Sequence, residues 1–208
     1  MRLVIVGAGG QGTVVGDIVA QGYAYADLIG FVDDNAALEG TRVLGVPVLG
    51  SVATLSDVPH DAVVVAIGDN RRRAQLSEEL TRRGERLITV VHPFTSIAGD
   101  VEPGLGSMVS AGAIVAPGVR IERGVLLNTR CSIDHHSVIG EFAHIGPGAT
   151  LGANVVIGAR TLVGLGASVM SGRRVGADAV IGAGALVSQD VPDGVTVTGV
   201  PARVVGRC

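Results

Sequence analysis

From Val109 to Val187 a branched aliphatic residue stands at every sixth position: Val109, Val115, Ile121, Leu127, Ile133, Ile139, Ile145, Leu151, Ile157, Val163, Val169, Val175, Ile181 and Val187. Neither a helix nor a lone strand has this period, so the backbone must regain the same orientation every six residues, as a β-solenoid of hexapeptide edges does. The position after each aliphatic is mostly small, as at Gly140, Gly146, Gly152, Gly158, Gly164, Gly176 and Gly182, where a turn needs a residue with no Cβ in its way. Four positions after the aliphatic, a second compact row runs through Ala113, Val119, Val125, Cys131, Ser137, Ala143, Ala149, Val155, Thr161, Ala167, Ala179 and Ala185, with Arg173 as its one large member. The two rows predict an interior that alternates large and small side chains.

Ahead of the array the pattern is of another kind. Residues 2–6 form an apolar strand, Gly7-Ala8-Gly9-Gly10-Gln11-Gly12 opens a helix through residue 20, and residues 28–32 give a second strand ending at Asp33 and Asp34. This βαβ unit carries G-x-G-x-x-G, whose glycines admit a pyrophosphate to the backbone while the helix amino terminus offers unpaired N–H donors and a positive dipole end. An acidic residue ending the second strand can accept hydrogen bonds from a ribose or a base. Strands over residues 61–68 and 87–91 bring the sheet to about four, half of a dinucleotide fold, so a mononucleotide-sized ligand fits better than a nicotinamide dinucleotide. His92-Pro93 reads as a linker, dividing the chain into a Rossmann-like half domain at 1–92 and a solenoid domain at 93–208.

Composition narrows the function classes. The 208 residues are 47% hydrophobic but only 2% aromatic, which suits narrow coils and argues against base-stacking nucleic-acid binding. A net charge of −3 supplies no broad basic field; Arg71, Arg72 and Arg73 read as a solvated helix face, with anchoring of one phosphorylated ligand as the alternative. With no signal peptide or membrane-length apolar run, the expected compartment is the cytoplasm, without membrane or nucleic-acid partners. Cys131 and Cys208 make no disulfide framework and are expected as free thiols.

Three of the five histidines, His135, His136 and His144, fall within ten residues of one another in the solenoid. His135 and His136 lie outside both interior rows and should face outward, on diverging directions. His144 should occupy a different edge of the prism, so the two sites meet only around a corner or across a subunit boundary. A neutral imidazole here can remove a proton from an amine or hydroxyl during acyl transfer without a metal. A three-histidine zinc site is the competing reading. It is disfavoured because no histidine pair has the spacing of such a site.

As a set, the six glycine-loop residues 7–12, Phe31-Val32-Asp33-Asp34, Ala66-Ile67-Gly68-Asp69-Asn70, Asp134-His135, Gly140-Glu141-Phe142-Ala143-His144 and Gly199-Val200-Pro201-Ala202-Arg203 resemble the bacterial hexapeptide-repeat sugar acetyltransferases. That family includes sialic-acid O-acetyltransferases and the UDP-4-amino-sugar N-acetyltransferases of bacillosamine-type glycan synthesis. The resemblance implies an α/β Rossmann-like half domain followed by a left-handed parallel β-helix, a hand opposite to the crossovers that strand twist favours. It implies an acetyl-CoA-dependent N-acetyltransferase acting on a nucleotide-linked amino sugar, with no metal and with active sites between the subunits of a homotrimer. O-acetylation of a sugar, or a non-catalytic nucleotide-sugar scaffold, are the alternatives.

Residue by residue, the resemblance makes His135 the general base and places His144 near the thioester. It gives the Ala153 N–H to the oxyanion, and Leu165 and Ala183 to the pantetheine groove. Gly9, Gly10, Gln11, Asp33 and Asp34 match the nucleotide pocket, with Gly68 at its rim. Two positions depart from the family pattern. His136 stands where an acidic residue usually orients the base, leaving that task to Asp134 or a neighbouring subunit, and Gln11 replaces a histidine.

Overall fold

A computed structural model describes residues 1–23 and 26–207; Cys208, expected as a free thiol, lies outside them. The chain forms two compact units, divided after Pro93.

In the first unit, the apolar run of β1 (Arg2–Val6) forms the middle of a parallel sheet. It pairs on one side with β2 (Asp27–Val32), reached through helix α1 (Gly10–Gly22). A short hairpin of β3 (Arg42–Val43) and β4 (Val46–Pro47) follows, then β5 (Ala62–Val65) pairs with the other side of β1. Helix α2 (Asn70–Arg82) starts from Asp69, whose carboxylate caps it by accepting the Arg72 N–H. The sheet has three strands rather than about four. Residues 86–88 continue it only through a bridge between Val63 and Leu87, too short a pairing to make a strand.

The tri-arginine segment is not uniformly solvated. Arg71 and Arg72 are exposed, but Arg73 is fully buried and donates to the carbonyls of Ile67 and Gly68 and to Asn70 Oδ1. Burial lowers its guanidinium to about 10, an effect Asp69 opposes. The helical period places Arg73 on the same face as the buried Leu76, Ser77 and Leu80, which the run of three like charges conceals.

The second unit is a β-solenoid of hexapeptide repeats. Its two-residue strands pair in parallel with strands 18 residues away, so each coil has three six-residue edges. The first face stacks Met108–Val109, Leu126–Leu127, His144–Ile145, Leu162–Val163 and Val180–Ile181. The second stacks Ile114–Val115, Ser132–Ile133, Thr150–Leu151, Ser168–Val169 and Leu186–Val187, and the third Arg120–Ile121, Val138–Ile139, Val156–Ile157 and Arg174–Val175. All fourteen periodic aliphatics are buried, none more than 4% exposed. In the compact row only Arg173 leaves the interior, turning out towards Asp190.

The small residues answer two different demands. One position after the aliphatic, stacking is the constraint: a Cβ on Gly164 would lie 2.6 Å from the Ile181 carbonyl oxygen of the next coil. The left-handed backbone falls two residues later, at Arg130, His136, Phe142, Asn154, Arg160 and Asp178, with φ of 53–59°.

Three hydroxyls in the interior knit adjacent coils. Ser137 Oγ donates to the Gly152 carbonyl (3.1 Å) and accepts the Val155 N–H (3.0 Å). Ser107 and Thr161 repeat this arrangement, and all three residues are buried. Ser137→Ala leaves a buried donor and acceptor unpaired and should destabilise the unit by about 1–3 kcal/mol, read as a lower denaturation midpoint with an unchanged m-value. Cys131 is fully buried and its thiol is pushed up to about 12, mainly by burial. It should therefore resist Ellman's reagent in the folded protein and react on unfolding, as peptide mapping of the labelled chain would show.

Candidate active site

Two groups of chemically capable side chains emerge, one in each unit. In the first unit they gather where the sheet's carboxyl ends meet the glycine loop. Gly7 adopts φ +109°, and a Cβ there would fall 2.7 Å from the Ala66 carbonyl oxygen. At Gly12 a Cβ would be driven into the Gly7 carbonyl, so these two glycines let α1 close onto the sheet. Gly9 and Gly10 are different: they are exposed, with nothing within 4 Å of a Cβ position, and they present the uncapped amino end of α1.

Asp33 is anchored on both oxygens. Oδ2 accepts the Ala8 N–H at 2.7 Å, tying the strand end to the glycine loop, and Oδ1 accepts the Asn35 N–H at 2.8 Å. Asp34 Oδ1 accepts the Val52 N–H at 3.1 Å, while Oδ2 pairs with the Arg72 guanidinium at 3.0 Å. A cavity of about 130 Å³ opens here, lined by Gly7, Asp33, Asp34 and Arg72 with the apolar side chains of Val6, Val52, Ile67 and Leu76. The structure thus joins Asp33 and Asp34 to one cavity; Gly9, Gly10, Gln11 and Gly68 do not line it. Of the three arginines weighed as anchors for a phosphorylated ligand, Arg72 is the one that lines this cavity. Its place one helical turn after the Asp69 cap is the signal that aims it at the strand ends.

In the solenoid, His135 and His136 occupy the corner between the second and third faces, directly after Ser132–Ile133. Both are exposed. Their rings do not diverge: the two Nδ1 atoms lie 2.9 Å apart and the rings meet edge to face, with centroids 5.1 Å apart. The physical reason is the left-handed backbone of His136, φ +59°, which turns its side chain back over Gly118 of the preceding coil. Asp134 Oδ1 accepts the His135 backbone N–H at 2.8 Å, and among the described residues no hydrogen bond joins its carboxylate to the imidazole. The acceptor or donor facing the His135 ring is instead His136.

Ala153 occupies the same corner one coil on, next to Asn154, which donates its N–H to the His135 carbonyl. The Ala153 N–H is not an open donor, since Ser171 Oγ accepts it at 3.1 Å. His144 lies on the first face, half-buried, with Nε2 3.1 Å from Asn128 Nδ2. Leu165 and Ala183 are linked across coils through the Gly184 N–H and the Leu165 carbonyl, at the corner that follows the first face; Leu165 is 62% exposed. Within one chain the two imidazole positions therefore sit on different edges. Among the described residues no three His, Cys, Asp or Glu side chains converge as a metal site would require. No helix among them is long and apolar enough to cross a membrane.

His60, a fourth histidine, is structural. Its ring is nearly buried, with Nδ1 2.6 Å from the Val58 carbonyl oxygen and Nε2 2.7 Å from Glu85 Oε2.

Comparison with known proteins agrees in both units. Residues 2–80 match the family described as the PglD N-terminal domain, and residues 130–165 match the bacterial transferase hexapeptide family. A perosamine N-acetyltransferase from Caulobacter crescentus, solved with CoA and GDP-perosamine, is 34% identical over 99% of this chain and 98% of its own, with a TM-score of 0.92. That protein has also been solved with a histidine replaced by asparagine or by alanine. The acetyltransferase domain of PglB from Neisseria gonorrhoeae, solved with acetyl coenzyme A, is 36% identical over 98% of both chains, with a TM-score of 0.93. WeeI from Acinetobacter baumannii is 29% identical over 99% of this chain and 100% of its own, with a TM-score of 0.84. Among curated protein sequences none matches.

Proposed function

The chain belongs to the hexapeptide-repeat sugar N-acetyltransferases with a PglD-type amino-terminal domain, and from that premise we propose that it moves the acetyl group of acetyl-CoA onto the amine of a nucleotide-linked amino sugar, with His135 as general base. The observation that carries this reading is the His135–His136 pair, an exposed imidazole oriented by a hydrogen bond through Nδ1. When Nδ1 carries the proton, the Nε2 lone pair is left to accept one from the amine. The amine nitrogen can then attack the thioester carbonyl, and the C–S bond breaks with its electron pair leaving on sulfur.

The first-unit cavity supports the nucleotide end of the substrate. Asp33 and Asp34 are acceptors suited to ribose hydroxyls or base N–H groups, Arg72 is a donor beside them, and the open amino end of α1 suits a diphosphate. Leu165 and Ala183 supply an exposed apolar and small surface of the kind a pantetheine arm packs on. In this reading the active protein is a trimer, in which a second copy brings its His144 edge to the His135 corner.

The test is thiol release from acetyl-CoA with a panel of UDP- and GDP-linked 4-amino sugars and free sialic acid. Turnover with one nucleotide amino sugar, and none with sialic acid, is the expected result, and it separates the expected UDP carrier from the GDP carrier of the perosamine enzyme. Turnover with sialic acid alone would replace this reading by O-acetylation.

A further inference from the structure

We propose that His136 makes the base a two-imidazole proton relay: as His135 Nε2 takes a proton from the substrate amine, His135 Nδ1–H passes to His136 Nδ1, and His136 releases its Nε2 proton to solvent. This inference rests on His135 being the base. Two neutral imidazoles hold their Nδ1 atoms 2.9 Å apart only when one donates and the other accepts. In the arrangement that leaves His135 Nε2 free for the amine, His135 is the donor, so neutral His136 must carry its proton on Nε2. Each atom in the chain thus starts in the state that a relay needs. Protons balance: one leaves the amine, one leaves for water, and the CoA sulfur, departing with the electron pair of the C–S bond, takes one from water; proton exchange of both exposed rings with water then restores the starting tautomers.

The surroundings hold His136 in this role. Its left-handed backbone is fixed by its N–H donating to the Pro117 carbonyl at 3.2 Å. The ring lies over Gly118, whose Cβ position is 3.0 Å from His136 Cδ2 and whose φ is +71°. The nearest acids bond to backbone rather than to either ring. Asp134 accepts the His135 N–H, and two coils before His136 the Asp100 Oδ2 accepts the Gly118 N–H at 2.8 Å. At this corner the next coil presents the neutral Asn154 and the coil after it Ser171. Among the described residues no carboxylate is hydrogen-bonded to either ring, and the exposed His136 is left as the acceptor for the proton of His135.

His136→Asn separates orientation from relay. Asparagine tolerates the left-handed backbone, and its side-chain oxygen can still accept from Nδ1, but it takes up no proton. With acetyl-CoA and UDP- or GDP-linked 4-amino sugars, the variant should keep KM for both substrates within about twofold and lose about tenfold in kcat. Added imidazole should restore that kcat in proportion to its concentration while leaving the wild type unaffected. Unchanged kcat in a normally melting His136→Asn protein would overturn the relay, and so would a loss that imidazole does not repair. Should His135→Ala keep its activity, the base assignment itself fails; an inactive His135→Ala beside a fully active His136→Asn removes the relay alone.

Discussion

His135→Ala should lower kcat by about 10³-fold while the protein melts as the wild type does. The magnitude is that of a general base removed from an otherwise intact site. The side chain is exposed and packs into neither interior row, so its loss opens no cavity. Its backbone bonds, from the N–H to Asp134 and from the Asn154 N–H to its carbonyl, survive the substitution. KM for acetyl-CoA and for the nucleotide amino sugar should therefore stay within about threefold, because the interaction removed acts in the transition state. A fall confined to KM would make His135 a binding residue, and a lowered melting temperature would make it a structural one. Steady-state kinetics beside a thermal melt reads all three outcomes.

Gly12→Ala should damage the first unit more than any other single methyl added to the glycine loop. The new Cβ meets backbone, the Gly7 carbonyl oxygen and its carbon at 2.9 Å, with no flexible side-chain end to move aside. Gly7 is itself held against Ala66 at φ +109°, so α1 must shift off the sheet. Overpacking of this kind costs about 3 kcal/mol, a large share of what a unit of this size has to lose. Gly10→Ala makes the contrast. Its Cβ faces open space and alanine favours the helix, so stability should hold or rise slightly. Any effect of Gly10→Ala should appear as a higher KM for the nucleotide sugar. Chemical denaturation of both variants, with kinetics on the second, divides the motif into glycines that close the fold and glycines that face the ligand.

Much of the architecture was legible because the solenoid is nearly one-dimensional. Each hexapeptide contacts the equivalent ones 18 residues away, so the aliphatic row of one coil meets the aliphatic row of the next and local pattern equals tertiary pattern. The βαβ start was legible for a similar reason: the glycine loop and the apolar runs beside it are consecutive. The apolar character of residues 87–91 predicts a strand, and Val90–Val91 form a short one, yet only Leu87 bridges to the three-stranded sheet. Composition does not say how long a pairing will last.

The site was less legible. Residue type and spacing marked His135, His136, Asp33 and Asp34 as chemically capable and placed the histidines outside the core. That His136 folds back to meet His135 required the left-handed corner set by coil stacking, which lays its ring over Gly118, a residue 18 positions away. Arg72 and Arg73 are adjacent and identical in sequence, yet the helix turns one to Asp34 at the cavity and buries the other under Ile67 and Gly68. Ser171 closes the Ala153 N–H by the same across-coil contact. The sequence by itself determined the repeat, the two-unit order and the identity of the reactive groups, because those follow from local periodicity and side-chain chemistry. The tertiary structure alone decided which of those groups face one another, because that depends on where separate turns of chain are stacked.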